Sequence, residues 1–222
     1  MSTIAPNRNL VESLVRQAVF SQLGKAPPTE VPTLVVNSSA RHMHVSPENL
    51  EVLFGQGYQL QPHKMLYMDG QFASTATVTL VGPRDRVIHN LRILGPCRNL
   101  TQIELSFSDA VFLGMDIPVR ASGNVKGSAA GVVIGPKGVL EMKEGIIRAA
   151  RHVHMTPKDT EFYGVKAGQF MTLIVESENC TTRLDDLLVR VDPAFKLEVH
   201  IDTDEANGCY LHKARRCELV RS

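Results

Sequence analysis

The sequence predicts a mainly β protein: two duplicated β-barrel domains with short capping helices, preceded by an N-terminal amphipathic helix. The first observation is a repeat, because RHMHVSP begins at Arg41 and RHVHMTP begins at Arg151. The second is that short segments rich in β-branched residues, separated by Gly, Pro, Asn and Asp, fill most of the chain after residue 32. Closed barrels remove the exposed edges of such sheets.

Residues 1–25 are expected to form the amphipathic helix, and a proline-containing linker follows up to residue 32. Gly24 is placed to end this helix. Two interpretations stay open, since the helix could pack on the main body of the protein or dock on a partner. The apolar side chains recur every four positions on one face: Leu10, Leu14 and Ala18 in one row, and Val11, Val15, Val19 and Leu23 in the next.

The remaining elements are predicted in chain order. The strands are STATVTLVG, RVIHNLRIL, QIELSFS, FMTLIVES, LLVRV and KLEVHID, and GVVIGPKGVLE predicts a hairpin. Ser46 and Thr156 each precede a proline, which predicts a short capped helix after each histidine motif. The repeat is therefore a strand, a turn and a helix within a unit of about 100 residues.

Composition excludes several classes of protein. The 222 residues include 43% hydrophobic and 21% charged residues, as expected of a soluble globular protein, and the net charge of +1 argues against non-specific nucleic-acid binding. Four cysteines without a CxxC spacing predict reduced thiols in a cytoplasmic protein. Neither a long apolar stretch nor a signal peptide is evident, so no membrane association is expected.

The histidine pairs predict metal binding. On a strand, side chains at i and i+2 point to the same face, so the two imidazoles of each motif project together. Aligning TQIELSFSDA with KLEVHIDTDEA places Glu104 and His200 at equivalent positions. The prediction is two sites of three ligands each, one of His42, His44 and Glu104 and the other of His152, His154 and His200.

Three protein ligands with an open fourth position are typical of catalytic zinc, although cobalt, nickel and iron stay open. Two further residues are candidates for binding an anion near these ligands. Arg98 follows a Gly-Pro turn shortly before Glu104, and Ser122 lies in the turn-forming segment VRASGN.

Four motifs resemble the PduL-type phosphotransacylases, or phosphate propanoyltransferases, of bacterial microcompartments: SARHMHVSPE, ILGPCRNLTQIELSFSDAVFLG, PVRASGN and RAARHVHMTP. The resemblance extends from Val31 to the end of the chain. It implies two β-barrels with a dinuclear zinc site at their junction. The strand near residues 34–40 would complete the barrel of the second half, so residues 42–149 form one barrel and residues 33–41 plus 150–222 the other.

The resemblance also implies roles for residues. Two zinc ions per chain would be held by the two ligand sets, and the one on Glu104 would receive the sulfur of coenzyme A. Arg98 and Ser122 would contact phosphate, with Arg98 catalytic. The adenine end of the coenzyme would lie near Arg92, Leu94 and Asn207.

The implied reaction converts propanoyl-CoA or acetyl-CoA plus phosphate into acyl phosphate plus CoA, by direct attack of phosphate. A dinuclear metal hydrolase and a non-catalytic metal-binding scaffold are the alternatives. The N-terminal helix would be an encapsulation peptide that binds shell or cargo proteins, which places the enzyme in the lumen of a microcompartment. A homo-oligomer stays open.

Overall fold

This computed structural model describes residues 14–15, 18–23 and 31–222. The chain divides into two compact units, residues 1–33 and residues 34–222. In the first unit, residues 14–15 and 18–22 are helical. Residue 23 is in a turn, and the rest of the helix predicted for residues 1–25 lies outside the described residues. Within the described ranges, every helix is too short or too polar to cross a membrane.

The second unit is mainly β, which confirms the predicted class. Its strands are β1 (Val35–Ser39), β2 (His42–His44), β3 (Pro62–Met65), β4 (Phe72–Val81), β5 (Val87–Gly95), β6 (Gln102–Glu104), β7 (Val119–Arg120), β8 (Ala129–Ile134), β9 (Val139–Ala149), β10 (His152–Met155), β11 (Phe170–Ser177), β12 (Thr182–Val191), β13 (Glu198–Asp202) and β14 (Ala214–Arg221). Its helices are α1 (Pro47–Phe54), α2 (Phe107–Leu113), α3 (Pro157–Tyr163) and α4 (Thr203–Gly208), followed by a 3-10 turn at Leu211–Lys213.

Six strands form a closed barrel in the order β1-β13-β10-β12-β11-β14. Strand β1 comes from the beginning of the unit and lies parallel to β13, so the barrel combines segments distant in sequence. Alternating residues of its strands face inwards and are buried, which is the period that a strand requires. The core includes Val153, Met171, Leu173, Leu187 and Val199.

The other sheet has the order β3-β4-β5-β2-β6-β9-β7, with β8 pairing with β4 and β9. It is curled into a half-barrel around a second core that includes Met43, Leu53, Ile93, Ile103 and Ile146. Closure is thus seen for one of the two predicted barrels. The chain boundaries assigned to each barrel stay a prediction.

Capped helices follow all four ligand-bearing strands. Ser46 and Thr156 accept the predicted hydrogen bonds from backbone amides at the starts of α1 and α3, so those two helices are confirmed. Ser106 and Asp202 form capping boxes at the starts of α2 and α4, which were not predicted. The strand predicted for QIELSFS was too long, because β6 ends at Glu104 and the cap at Ser106 begins a helix.

Candidate active site

The first ligand set lies on two neighbouring strands. Strands β2 and β6 are antiparallel, with His42 opposite Glu104 and His44 opposite Gln102. The Nε2 atoms of His42 and His44 are 3.1 Å apart. The Glu104 carboxylate oxygens lie 3.5 Å from His42 Nε2 and 3.9 Å from His44 Nε2. The structure therefore brings the three predicted ligands of this set together around one point.

The second ligand set repeats this arrangement on the barrel. Strands β10 and β13 are antiparallel, with His152 opposite His200 and His154 opposite Glu198. The imidazole of His200 stacks on that of His152 with ring centroids 4.8 Å apart, and its centroid is 4.6 Å from that of His154. In each set, one donor atom from every residue lies within 4.8 Å of the others.

Burial keeps the imidazoles of His44, His152 and His154 neutral, which is the form that binds metal. Burial, together with electrostatic interaction with His42 and Arg98, lowers the pKa of His44 to about 2. Burial and the nearby His200 likewise lower the pKa of His154 to about 2 and that of His152 to about 4. An imidazole with such a pKa keeps a free lone pair at neutral pH.

The donor atoms fit a metal such as zinc. Both ring nitrogens of His154 are buried without a hydrogen-bond partner, and the buried Nε2 of His200 makes no hydrogen bond although Glu198 Oε2 lies 3.1 Å away. Unpartnered polar atoms are costly to bury, and a cation between them would supply the missing partner. His42 and His152 donate from Nδ1 to the carbonyls of Ala40 and Ala150, which directs their Nε2 lone pairs towards the clusters.

Two residues at matching register positions hold the third ligands, and the sequence analysis did not select them. Gln102 donates a hydrogen bond to Glu104 at 2.7 Å, while Glu198 Oε2 lies 3.1 Å from Nε2 of His200. Glu198 also accepts a 2.6 Å hydrogen bond from Asn37 on β1. Burial alone would raise the pKa of Glu198, but contact with His200 and Asn37 outweighs it and the pKa is lowered. Gln102 and Glu198 each stand two positions before the third ligand of their set, on the same face of the strand. This spacing is the sequence signal that could have identified them.

A cavity of about 610 Å³ lies between the two sheets, and both ligand sets open into it. Arg92 and Leu94 line it on the side of the curled sheet. Asn207 is exposed in α4 and is not among the described residues that line the cavity, so its assignment to coenzyme A remains a prediction. The cationic side chains of the lining exceed its carboxylates, which suits an anionic substrate: Arg41, Lys64, Arg92, Arg98 and Arg190 against Glu104 and Glu198.

Both candidate anion-binding residues line the same cavity. The backbone amide of Arg98 donates to the Val45 carbonyl, which holds the Arg98 loop beside the end of β2. Partial removal of water from its guanidinium lowers the pKa of Arg98; Glu104 opposes this change and Arg190 adds to it. Ser122 accepts a 2.9 Å hydrogen bond from Gln102 at its hydroxyl oxygen. Its own hydroxyl proton is therefore available for another acceptor.

Comparison with known proteins decides the family. A family model described as phosphate propanoyltransferase matches residues 35–212. The chain belongs to the phosphate propanoyltransferase family. Members of this family are acyltransferases, so the chain is an enzyme of that class. The matched range spans the positions of both ligand sets, together with Arg98 and Ser122.

Individual members of the phosphate propanoyltransferase family are similar to this chain over most of their length. The protein of that name from Planctopirus limnophila is 49% identical over 99% of this chain and 95% of its own. The one from Thermotoga maritima is 50% identical over 82% of this chain and 86% of its own. The one from Salmonella typhimurium is 38% identical over 91% of this chain and 92% of its own.

Proposed function

We propose that this chain transfers a short acyl group, propanoyl or acetyl, between coenzyme A and inorganic phosphate at a dinuclear zinc site. The observation that carries this proposal is the pair of three-residue ligand sets that open into one cavity beside Arg98 and Ser122. The names of the similar proteins support phosphate and an acyl donor as substrates. Coenzyme A would enter along the side of the cavity that Arg92 and Leu94 line.

In the proposed reaction, a phosphate oxygen attacks the thioester carbonyl carbon and forms the new C–O bond. The C–S bond breaks, and its electron pair leaves with the sulfur as the CoA thiolate. Zinc, when bound by the two ligand sets, would supply a Lewis acid for the developing negative charge and a soft partner for the thiolate. Since direct attack needs no nucleophile from the protein, we expect no acyl-enzyme.

The protein's own groups would position the phosphate. Arg98 offers a planar guanidinium whose paired N–H groups match two phosphate oxygens. Ser122 can donate its hydroxyl proton because Gln102 already occupies an acceptor position on its oxygen. The Gln102 side chain is itself fixed, since its carbonyl oxygen accepts a 2.7 Å hydrogen bond from the Gly123 amide. Holding phosphate beside the thioester lowers the entropy cost of attack.

The test follows CoA release from acetyl-CoA, propanoyl-CoA and a longer acyl-CoA by the zinc-loaded protein, with and without phosphate. Release that requires phosphate, together with acyl phosphate formation, is the expected result. Release without phosphate would favour the hydrolase, and a lack of either activity would favour the scaffold. Mass measurement of the intact chain after quenching should find no acylated protein.

Three variants separate metal binding from phosphate binding. We expect His44→Ala and Glu104→Ala to lose zinc and activity together, because each removes a ligand from the first set. Arg98→Ala should keep its zinc and show a raised KM for phosphate. His63→Ala is the matched control, since His63 is exposed and does not line the cavity. A Glu104→Ala protein with full zinc content and full turnover would remove Glu104 from the site.

The finer organisation of the chain is part of the same proposal. Equivalent registers of the two ligand sets, His42 opposite Glu104 and His152 opposite His200, support an origin of the two sheets by duplication. Residues 42–149 would then form one unit, with residues 33–41 and 150–222 forming the other.

We propose that the N-terminal helix is an encapsulation peptide that directs the enzyme to the lumen of a bacterial microcompartment. Four apolar side chains of the helix are 48–64% exposed: Leu14, Val15, Val19 and Leu23. An exposed apolar stripe can dock on a shell or cargo protein. Substituting Val15 and Val19 by Ser in the full chain should abolish co-sedimentation with shell proteins and leave acyl transfer unchanged. Unchanged co-sedimentation would contradict this assignment.

A further inference from the structure

We propose that Arg190 is a second phosphate-binding residue, which holds inorganic phosphate from the barrel while Arg98 holds it from the curled sheet. The proposal rests on the proposed function, because it assigns a further residue to the same reaction. Arg190 lines the cavity together with Arg98 and both ligand sets.

The register of the barrel directs Arg190 towards the second ligand set. Strands β10 and β12 are parallel neighbours, with His154 opposite Arg190 and Val153 opposite Val189. Paired residues point to the same face of a sheet, and successive residues alternate between faces. Val153 and Val189 are buried in the barrel core. His154 and Arg190 therefore share the opposite face, which is the wall of the cavity.

The charge of Arg190 acts on the centre of the site. Its positive charge lies in the same cavity as His152, His154 and Arg98. It also contributes to the lowered pKa of Arg98. Arg190 and Arg98 are thus close enough to repel each other across the cavity that both line.

Neither guanidinium forms a salt bridge with a described residue. Across the described ranges, no carboxylate pairs with Arg98 or Arg190, and no side chain accepts a hydrogen bond from either guanidinium. Arg148 and Arg151, by contrast, each contact the carboxylate of Glu205. Two guanidinium groups that line one cavity without a salt bridge repel each other unless an anion lies between them. Phosphate matches their geometry, because each group can donate two parallel hydrogen bonds to phosphate oxygens.

The position of Arg190 favours inorganic phosphate as its ligand over the phosphate groups of coenzyme A. Arg190 lies beside the ligand His154, at the presumed reaction centre. The coenzyme's phosphate groups would instead follow the wall of Arg92 and Leu94 on the opposite sheet. The two sources give different kinetic effects, since one changes the KM for phosphate and the other the KM for acyl-CoA.

The experiment measures initial rates of the zinc-loaded protein with phosphate and acyl-CoA varied in turn, and zinc content in parallel. We expect Arg190→Met to raise the KM for phosphate by about 10- to 100-fold, the usual range for a lost hydrogen bond to a charged group. Arg190→Lys should show a smaller rise, because it keeps the charge without the paired donors. Titration calorimetry with inorganic phosphate alone should show the same ranking.

The matched control is Arg183→Met, on the same strand β12. Arg183 is exposed and pairs with Asp185 at 2.9 Å, so we expect both KM values to stay as in the wild type. An unchanged KM for phosphate in Arg190→Met, or a rise confined to the KM for acyl-CoA, would overturn the assignment. Lost zinc in Arg190→Met with a wild-type KM for phosphate in Arg190→Lys would also overturn it. A wild-type protein that releases CoA without phosphate would instead overturn the proposed function.

Discussion

Single side chains determine whether the two clusters can accept a cation. His42 and His152 each donate from Nδ1 to a backbone carbonyl, which fixes the ring and leaves Nε2 for a metal. Gln102 and Glu198 stand at the same register position beside the third ligand of each set. Groups that contact a metal ligand from outside orient it and tune its basicity.

Replacing Glu198 by Gln should weaken metal binding at the second set. The amide keeps nearly the same shape but loses the negative charge that lies 3.1 Å from His200 Nε2. We expect a loss of zinc affinity of about 10- to 100-fold, as for other contacts that orient a ligand. Competition with a chromophoric chelator measures it. Glu161→Gln, an exposed position in α3, is the control, and equal affinities in the two variants would contradict the role of Glu198.

The ligands His44, His152 and His154 predict that the stability of the metal-free protein depends on pH. Burial is the main cause that lowers the pKa of His44 and His154 to about 2 and that of His152 to about 4. An unfolded histidine has a pKa of about 6.5, so below that pH the unfolded chain binds more protons than the folded one. The free energy of unfolding should therefore fall as the pH falls from about 6.5 towards about 4.

Urea unfolding of the metal-free protein at a series of pH values tests this expectation. His154→Gln removes one of the titrating groups and should reduce the slope by up to about 1.4 kcal/mol per pH unit. His63→Gln changes an exposed histidine away from the cavity and should leave the slope unchanged. If His154→Gln and the wild type share one slope, the burial of His154 does not govern the pH dependence.

Strands and helices place the ligands by repeating one local design. A short strand carries two histidines on one face, its antiparallel neighbour carries the third ligand, and a capped helix follows each strand. Each cap stops the strand abruptly, because its side chain satisfies amides that a helix leaves unbonded. In the second set, Thr156 caps α3 directly after β10.

Loss of this cap should destabilise the barrel by about 1 kcal/mol. Thr156 Oγ1 accepts from the Asp159 amide at 3.2 Å and donates to the Asp159 carboxylate at 2.8 Å. Thr156→Ala removes both bonds, whereas Thr156→Ser keeps the hydroxyl and should restore most of the stability. Urea unfolding of the zinc-free proteins provides the measurement. If the Ala and Ser variants are equally stable, the hydroxyl is not the stabilising group.

Across the whole molecule, a buried ion-pair network joins the curled sheet to the barrel. Arg148, near the end of β9, contacts Asp202 and Glu205, both at 2.5 Å. Arg151 reaches the same Glu205 at 2.6 Å. These carboxylates also cap α4, which directly follows the strand of His200. The network therefore stabilises the junction at which the two ligand sets meet.

Removing one member of this network should cost much more than removing a surface pair. Arg148→Ala leaves the buried Asp202 carboxylate without its partner and leaves Glu205 with Arg151 alone, and we expect the free energy of unfolding to fall by about 3–5 kcal/mol. Arg215→Ala is the control, because Arg215 is exposed and its pair with Glu178 should contribute no more than about 1 kcal/mol. Urea unfolding compares the two. A similar small loss in both variants would show that the network does not stabilise the junction.

Short-range sequence patterns were sufficient to predict the elements that depend only on neighbouring residues. The mainly β class, the hairpin bonded from Gly135 to Gly138, and the helices after Ser46 and Thr156 agree with the sequence prediction. The helices after Ser106 and Asp202 were not predicted, and after Ser106 a run of alternating apolar residues suggested a longer strand. There a capping box overrides strand propensity.

The sequence by itself determined the pairing of histidines on each strand, since a side-chain period of two needs only local geometry. It also contained the repeat that selected Glu104 and His200 as matching positions. Only the tertiary structure placed Asn37, Arg190 and Glu198 at the same cavity, because β12 and β13 pair with β10, and β1 pairs with β13, across long stretches of chain. Such contacts depend on sheet order and register, which alternation within one segment does not encode.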